Sequence, residues 1–171
     1  ATDFVDLIID NQKIIKKNGI KIISNAGGVN PVECAKIIKK KLSKSCKLKI
    51  GVVYGDDIIN DIEDLIKNGH NFKNLETGQD INRIKENITS ANVYIDSFSI
   101  KDALEKGADI VLAGRVSDPG LTLGPLIYEF GWTKIDYDKL ASGTLAGHII
   151  ECGAQCTGGN YSKWYELNSL S

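Results

Sequence analysis

Apolar residues recur along the chain at two different spacings, which predict its secondary structure. Apolar positions three or four residues apart are typical of amphipathic helices, and short runs rich in β-branched residues are typical of buried strands. The helical spacing covers residues 3–17, 32–42, 58–66 and 99–106. The strand-like runs cover residues 20–24, 48–54, 91–95 and 108–113.

Helical and strand-like segments follow one another in regular alternation. Alternation at these lengths favours a parallel sheet that is covered by helices on both faces and joined by right-handed crossovers. We therefore predict a single α/β domain over residues 1–160, a Rossmann-like three-layer parallel sheet. Residues 161–171 are expected to be a tail that leads to a further region, because they contain one apolar cluster, Trp164-Tyr165, followed by polar residues.

Glycine and proline change the pattern in the last third of the chain. An apolar stripe over residues 121–130 contains Pro125, which predicts a kinked or interrupted helix. A further helix is expected over residues 140–155, although Gly143, Gly147 and Gly153 lie within it. Each interior glycine costs about 1 kcal/mol relative to alanine. Close packing or the approach of a ligand could offset that cost.

Charge and composition exclude several classes of partner. Lys and Arg number 21 against 22 Asp and Glu, so a net charge of -1 gives no electrostatic reason to bind nucleic acid or an anionic membrane. No apolar stretch is long enough to span a membrane, and no signal peptide is recognisable. Four cysteines without paired spacing suit reduced thiols. We expect a cytoplasmic location, or an organelle matrix if the source is eukaryotic.

A loop after the first predicted strand is the first candidate binding element. Ligands of open parallel sheets bind beyond the carboxyl ends of the strands, and backbone N–H groups at a helix start can hold a carboxylate or phosphate oxygen. A tight turn that binds nothing is the alternative. The loop lacks the glycine spacing of dinucleotide folds and the P-loop signature, so no cofactor is assigned. The candidates are Asn25, Gly27, Gly28 and Asn30.

Charged residues follow the second and the last predicted strands. Asp57 could exchange a proton or bind hydroxyls, or it could cap the next helix. The planar guanidinium of Arg115 could clamp a carboxylate or a phosphate. Asp118 is an acid/base candidate that could instead pair with Arg115 and hold the loop.

The densest polar motif lies at residues 148–160. His148 with Glu151 suits general acid/base catalysis, although a hydrogen-bonded structural histidine is the alternative. Cys152 and Cys156 share a helical face with His148, but the three would span about 12 Å, too far for one metal ion. Two of the three could ligate an ion together but not all three, so we predict no metal site and expect packed cysteines. The other substrate-binding candidates here are Gln155, Gly158, Gly159 and Asn160.

Seven blocks, in order, resemble the acyclic terpene utilisation A (AtuA-like) family. They lie at residues 1–4, 24–31, 53–57, 91–94, 108–118, 123–132 and 143–160. The resemblance covers the amino-terminal and central part of the family, without its first segment or its later domain. The family takes its name from bacterial use of citronellol- and geraniol-type compounds, alongside acyl-CoA enzymes.

The resemblance implies an enzyme domain in the catabolism of branched or terpenoid acids or acyl-CoAs. Such a domain would bind an anionic small molecule, and a lyase or hydratase type of reaction is compatible with it. The alternative is a non-catalytic ligand-binding or subunit-contact module, in which Tyr128, Phe130 and Trp132 form an interface. A homo-oligomer is compatible with both hypotheses.

Overall fold

A computed structural model describes residues 2–28, 30–158 and 161–163. Within them, the structure contains three strands and six α-helices, together with short 3-10 turns. The strands are β1 (Ile22–Ser24), β2 (Ile50–Val53) and β3 (Ile110–Ala113). The helices are α1 (Thr2–Asn18), α2 (Pro31–Lys41), α3 (Ile62–Lys67), α4 (Ser97–Glu105), α5 (Gly120–Phe130) and α6 (Tyr137–Cys152).

The strands form one small parallel sheet with β3 at its centre, in the order β1-β3-β2. Ile110 of β3 is in register with Ile22 of β1 and with Ile50 of β2. All four residues of β3 are buried, as expected of a continuous apolar run in the centre of a parallel sheet. The prediction of a mixed α/β fold with a parallel sheet is therefore confirmed, and the sheet has three strands.

Alternate side chains of β3 contribute to two separate hydrophobic clusters. Ile110 and Leu112 pack with residues of α1 and α2, including Ile8 and Ile38. Val111 and Ala113 belong to the other cluster, which contains buried residues of α4. Successive side chains of a strand point to opposite sides, so one central strand supports both clusters.

The glycines of α6 allow this helix to approach its neighbours closely. A Cβ at Gly143 would lie 2.8 Å from side-chain atoms of Leu123 and Trp132, and one at Gly147 would lie 2.9 Å from the carbonyl oxygen of Pro119. Close packing is thus confirmed at both positions. Gly153 instead has a φ of 54° and ends the helix, so α6 stops before the predicted residue 155. Among the described residues, no helix has both the length and the apolar character of a membrane span.

The prediction of a strand at residues 91–95 was wrong. This segment makes two isolated bridges, an antiparallel one from Asn92 to Asp57 and a parallel one from Ile95 to Val116. β2 ends at Val53, and Gly55 with a φ of 108° turns the chain away. The segment therefore contacts two strand ends in succession instead of continuing along one strand.

The helix predicted over residues 58–66 is shorter than expected. Asp57 Oδ1 accepts a hydrogen bond from the N–H of Ile59 at 3.0 Å, which favours a turn over a helix at this point. α3 begins only at Ile62. The loop predicted after it belongs to a longer segment, in which the 3-10 turns Ile81–Arg83 and Lys85–Asn87 are the regular elements described.

Candidate functional site

A cleft of about 400 Å³ lies where the carboxyl ends of all three strands meet. Each strand contributes residues from the loop that follows it, and the segment before α4 contributes two more. The lining residues are Asn25 and Gly28 after β1, Asp56 after β2, Gly114 and Arg115 after β3, and Asn92 and Tyr94 from the segment.

The strand order explains why a cleft opens at this place. The helix after β1, α2, packs in the cluster that contains Ile110 and Leu112. The helix after β3, α5, packs against the cluster that contains Val111 and Ala113. When neighbouring parallel strands send their connections to opposite sides, a crevice forms between their carboxyl ends. β1 and β3 are such neighbours.

Asp56 supplies a buried carboxylate to the cleft. The residue is only 6% exposed, and Oδ2 accepts a hydrogen bond from Asn92 Nδ2 at 3.0 Å. The N–H of Val93 donates to the Asp56 carbonyl at 2.8 Å, which ties the segment to the end of β2. A buried carboxylate needs such partners.

Arg115 is the cation of the cleft, and its side chain is exposed. Its guanidinium carbon lies 5.5 Å from the centroid of the Tyr94 ring, a cation–π distance. Among the described residues, no carboxylate lies within ion-pair distance of Arg115. The ion pair between Arg115 and Asp118, which was one of the two alternatives predicted from the sequence, is not formed. Asp118 contacts His148 instead.

The loop after β1 uses much of its hydrogen-bonding capacity internally. The N–H groups of Ala26, Gly28 and Asn30 donate to Ser24 Oγ, the Asn25 carbonyl and the Gly27 carbonyl. A ligand in the cleft therefore meets the Asn25 side chain and the surface of Gly28 more readily than free backbone donors.

The remaining two candidates of this loop have structural contacts. Asn30 Oδ1 accepts from the N–H of Glu33 at 2.9 Å and so caps α2. A Cβ at Gly27 would lie 2.7 Å from the Cα of Pro31, so this position is tightly packed. Asp57 lies outside the cleft lining and holds the turn at Ile59.

A second polar group forms between α6 and the loop after β3. His148 Nε2 lies 3.5 Å from Asp118 Oδ2, and both side chains are about half exposed. The close contact of Gly147 with Pro119 brings the two residues together. Glu151 is engaged elsewhere, because its Oε2 accepts a hydrogen bond from the Cys152 thiol at 3.2 Å.

The cysteines of α6 and the following turn are less buried than the sequence suggested. Cys156 is exposed, so the expectation of a packed side chain was wrong there, whereas Cys152 is half-buried. The hydrogen bond to Glu151 is the main cause that raises the pKa of Cys152 to about 11. A thiol held protonated is a poor nucleophile and a poor metal ligand. In the described ranges, no three His, Cys, Asp or Glu residues are placed to hold a metal ion.

The last group of candidates lies in the turn after α6. Gln155 and Gly158 are exposed and outside the cleft lining, and the N–H of Gly158 donates to the Gln155 carbonyl at 3.1 Å. Gly159 and Asn160 lie outside the described residues. The structure thus groups Asn25, Gly28 and Arg115 in one cleft and leaves the other described candidates outside its lining.

The cleft contains residues that sequence reasoning missed. The sequence signal for Asp56 was present as two adjacent carboxylates after β2, and the side chain of the first one is buried. Asn92 and Tyr94 occupy alternate positions of an extended segment, which places them on the same side. Gly114 had no signal of its own, since its role depends on the side chain of Asp56.

Comparison with known proteins supplies the family. The model of the acyclic terpene utilisation family protein AtuA matches residues 1–171. No match was found among curated proteins or among solved structures. Because the family match covers the whole chain and confirms the resemblance of its ordered blocks, this protein belongs to the acyclic terpene utilisation (AtuA) family.

Proposed function

We propose that the cleft binds the anionic group of a branched or terpenoid carboxylate, or of its acyl-CoA. The chain would then be part of an enzyme that degrades such acids. Its fold would be a Rossmann-like three-layer parallel sheet. Membership of the AtuA family supports a role in acyclic terpene utilisation. The volume of about 400 Å³ falls within the range of about 300–1,000 Å³ common for small-molecule pockets.

The guanidinium of Arg115, which lines the cleft, is the observation that carries the proposal. Arg115 has no carboxylate partner among the described residues, and the Tyr94 ring supports its guanidinium. A planar guanidinium can donate two parallel hydrogen bonds to a carboxylate or a phosphate. Asn25 and Asn92 also line the cleft, and their amide side chains are of a type that can donate hydrogen bonds to the same ligand.

Asp56 is the acid/base candidate that lines the cleft. A buried carboxylate beside a bound substrate can accept or return a proton. The pair of His148 and Asp118 is the second acid/base candidate, for a substrate that extends beyond the cleft. Asp57 and Glu151 remain weaker catalytic proposals, because neither residue lines the cleft.

Calorimetric titration of the full chain with citronellate tests the proposal. Citronellol is the neutral control ligand, since it keeps the branched chain and lacks the carboxylate. Citronellate is expected to bind more tightly than citronellol. Arg115→Gln is expected to weaken citronellate binding about tenfold or more, because a hydrogen bond to a charged group contributes about 1.5–3 kcal/mol.

Arg83→Gln is the matched control, because Arg83 is an exposed arginine outside the cleft lining. It removes the same charge and should leave the affinity unchanged. Equal weakening by both substitutions, or equal affinity for citronellate and citronellol, would contradict an anion site at Arg115. The CoA thioester of citronellate in the same titration distinguishes a free acid from an acyl-CoA.

Exposed apolar residues favour the subunit-contact module as a second candidate function. Leu145, Ile149 and Ile150 of α6 are 63%, 50% and 68% exposed, and such patches often mark interfaces. Phe130 is also exposed and stacks on Trp132 with ring centroids 5.7 Å apart, whereas Tyr128 packs against the core. Sedimentation of the wild-type chain and of Leu145→Glu tests this candidate. A wild-type chain that stays monomeric at every protein concentration measured would exclude self-association through this surface.

A further inference from the structure

Within the part of the chain that the structure describes, one edge of the sheet has backbone hydrogen-bonding groups without partners. The Lys49 carbonyl accepts from the N–H of Ile110 at 3.0 Å, and the Val53 carbonyl accepts from the N–H of Gly114 at 2.9 Å. Residues of a parallel strand face their neighbour alternately, so the N–H and C=O groups of Ile50 and Val52 point away from β3. β2 is the last strand in the sheet order of the described residues. Ile50 and Val52 therefore present a free ladder.

A groove of about 690 Å³ runs along this free edge. It lies between α2 on one side and α4 on the other, and it shares no lining residue with the cleft at the strand ends. Apolar side chains form much of its wall, namely Leu48, Ile50, Val52, Val53, Ala103 and Ala108. An open backbone ladder with apolar walls is the geometry that accepts an added strand.

The charged residues that line the groove indicate which charge an added strand should carry. Lys39, Lys49 and Lys106 line it, and within the described ranges none of the three has a carboxylate at ion-pair distance. The groove's acidic residue, Asp102, lies 3.5 Å from the ammonium of Lys101. The edge is thus left with uncompensated positive charge. Two copies of the chain joined edge to edge would bring these lysines together, which disfavours a second copy.

We infer that this groove binds an extended acidic polypeptide segment, which adds a fourth strand beside β2. Its backbone would pair with Ile50 and Val52. Its alternate side chains would face α2 and α4, and its carboxylates would pair with the three lysines. β2 has four residues and a strand rises about 3.3 Å per residue, so the paired length is about 13 Å.

Lysines on a strand edge can also serve to prevent pairing. In that case they would disfavour an added strand, whatever its charge. An acidic peptide and a basic peptide with the same apolar residues separate the two roles. The probe is a blocked peptide in which Val alternates with Thr between terminal pairs of Glu, and the control peptide carries Lys in place of Glu.

Amide exchange of the full chain, followed residue by residue by NMR, is the measurement. The acidic peptide is expected to slow exchange at Ile50 and Val52 by about tenfold or more, because these amides gain hydrogen bonds. Gly51 and Val53 serve as internal controls, since their amides already face β3. The basic peptide should leave all four amides unchanged.

A charge-reversal variant tests the role of the lysines. Lys49→Glu with Lys106→Glu should transfer the protection from the acidic to the basic peptide. Lys13→Glu with Lys17→Glu is the matched control on α1, with the same change of net charge at exposed positions outside the groove. It should keep the wild-type preference. Failure of the acidic peptide to protect Ile50 and Val52, equal protection by both peptides, or protection that grows with protein concentration alone would each overturn the inference.

Discussion

The carboxylate of Asp56 occupies the space that a side chain at position 114 would fill. A Cβ built on Gly114 would overlap Oδ1 of Asp56, while Oδ2 accepts its hydrogen bond from Asn92. The loops after β2 and β3 can therefore approach this closely only because residue 114 is a glycine. This contact holds the buried acid of the cleft in place.

Gly114→Ala is expected to destabilise the protein by about 1–3 kcal/mol, because a methyl group forced into a packed site displaces its neighbours. The displaced neighbour is the Asp56 carboxylate, so the hydrogen bond to Asn92 is lost as well. Urea unfolding measures the loss. The double variant Gly114→Ala with Asp56→Ala should lose less unfolding free energy than the two single variants lose together. The reason is that Asp56→Ala removes the carboxylate that the new methyl group would overlap.

Asp57→Ala is the matched control for this double-mutant comparison, because Asp57 is the adjacent carboxylate and is exposed. Its effect should add to that of Gly114→Ala. Additive effects for Asp56→Ala would show that the Asp56 carboxylate is not what position 114 excludes.

Gly147→Ala is expected to lower stability, although alanine is the better helix former by about 1 kcal/mol. The new methyl group would lie 2.9 Å from the backbone oxygen of Pro119, which cannot move aside by rotation of a side chain. Gly143→Ala is the comparison, since its contacts are the far ends of Leu123 and Trp132. Urea unfolding should give the larger loss at position 147. A stabilised Gly147→Ala would contradict the close packing of α6.

Asp136→Asn should reduce stability near neutral pH, and the difference from wild type should shrink in acid. Hydrogen bonding to Lys139, and then to Thr133, holds the pKa of Asp136 well below its ordinary value of 3.8. A lowered folded-state pKa means that the ionised form stabilises the fold. That contribution is complete above the ordinary pKa and is lost as the pH falls through the folded-state pKa.

Thermal unfolding of wild type and Asp136→Asn between about pH 7 and pH 2 measures this dependence. The difference in Tm should narrow below about pH 4. Asp138→Asn is the control, since Asp138 is an exposed acid in the first turn of α6, two residues after Asp136. It should have a small effect on Tm. A difference for Asp136→Asn that stays constant down to pH 2 would argue against the lowered pKa.

Glu151→Gln should make Cys152 more reactive towards iodoacetamide. Return of the pKa of Cys152 from about 11 towards its ordinary 9.0 would raise the thiolate fraction about 100-fold near pH 8. The less basic thiolate is intrinsically weaker, which cancels about tenfold of that gain. Peptide mass spectrometry should therefore find alkylation about tenfold faster. Glu129→Gln is the charge-matched control, and an equal acceleration there would rule out the contact with Glu151.

The sequence by itself determined the family and the main helices and strands near the site. The apolar run that forms β3 and the periodic helices α1, α2 and α4 were predictable because their patterns depend on neighbouring residues. The loops after the strands were predictable as the place of a cleft, since the carboxyl ends of parallel strands lie at one edge of a sheet. This reasoning placed Asn25, Gly28 and Arg115 in those loops, and all three line the cleft.

Only the tertiary structure decided which side chains meet in the cleft. The strand order β1-β3-β2 joined the loops after all three strands, and the segment with two isolated bridges brought Asn92 to Asp56 and Tyr94 to Arg115. His148 contacts Asp118 and not Glu151, which follows it three residues later, because Gly147 packs on Pro119. These contacts join residues far apart in the chain. Local patterns cannot specify them, since they depend on how whole elements pack against one another.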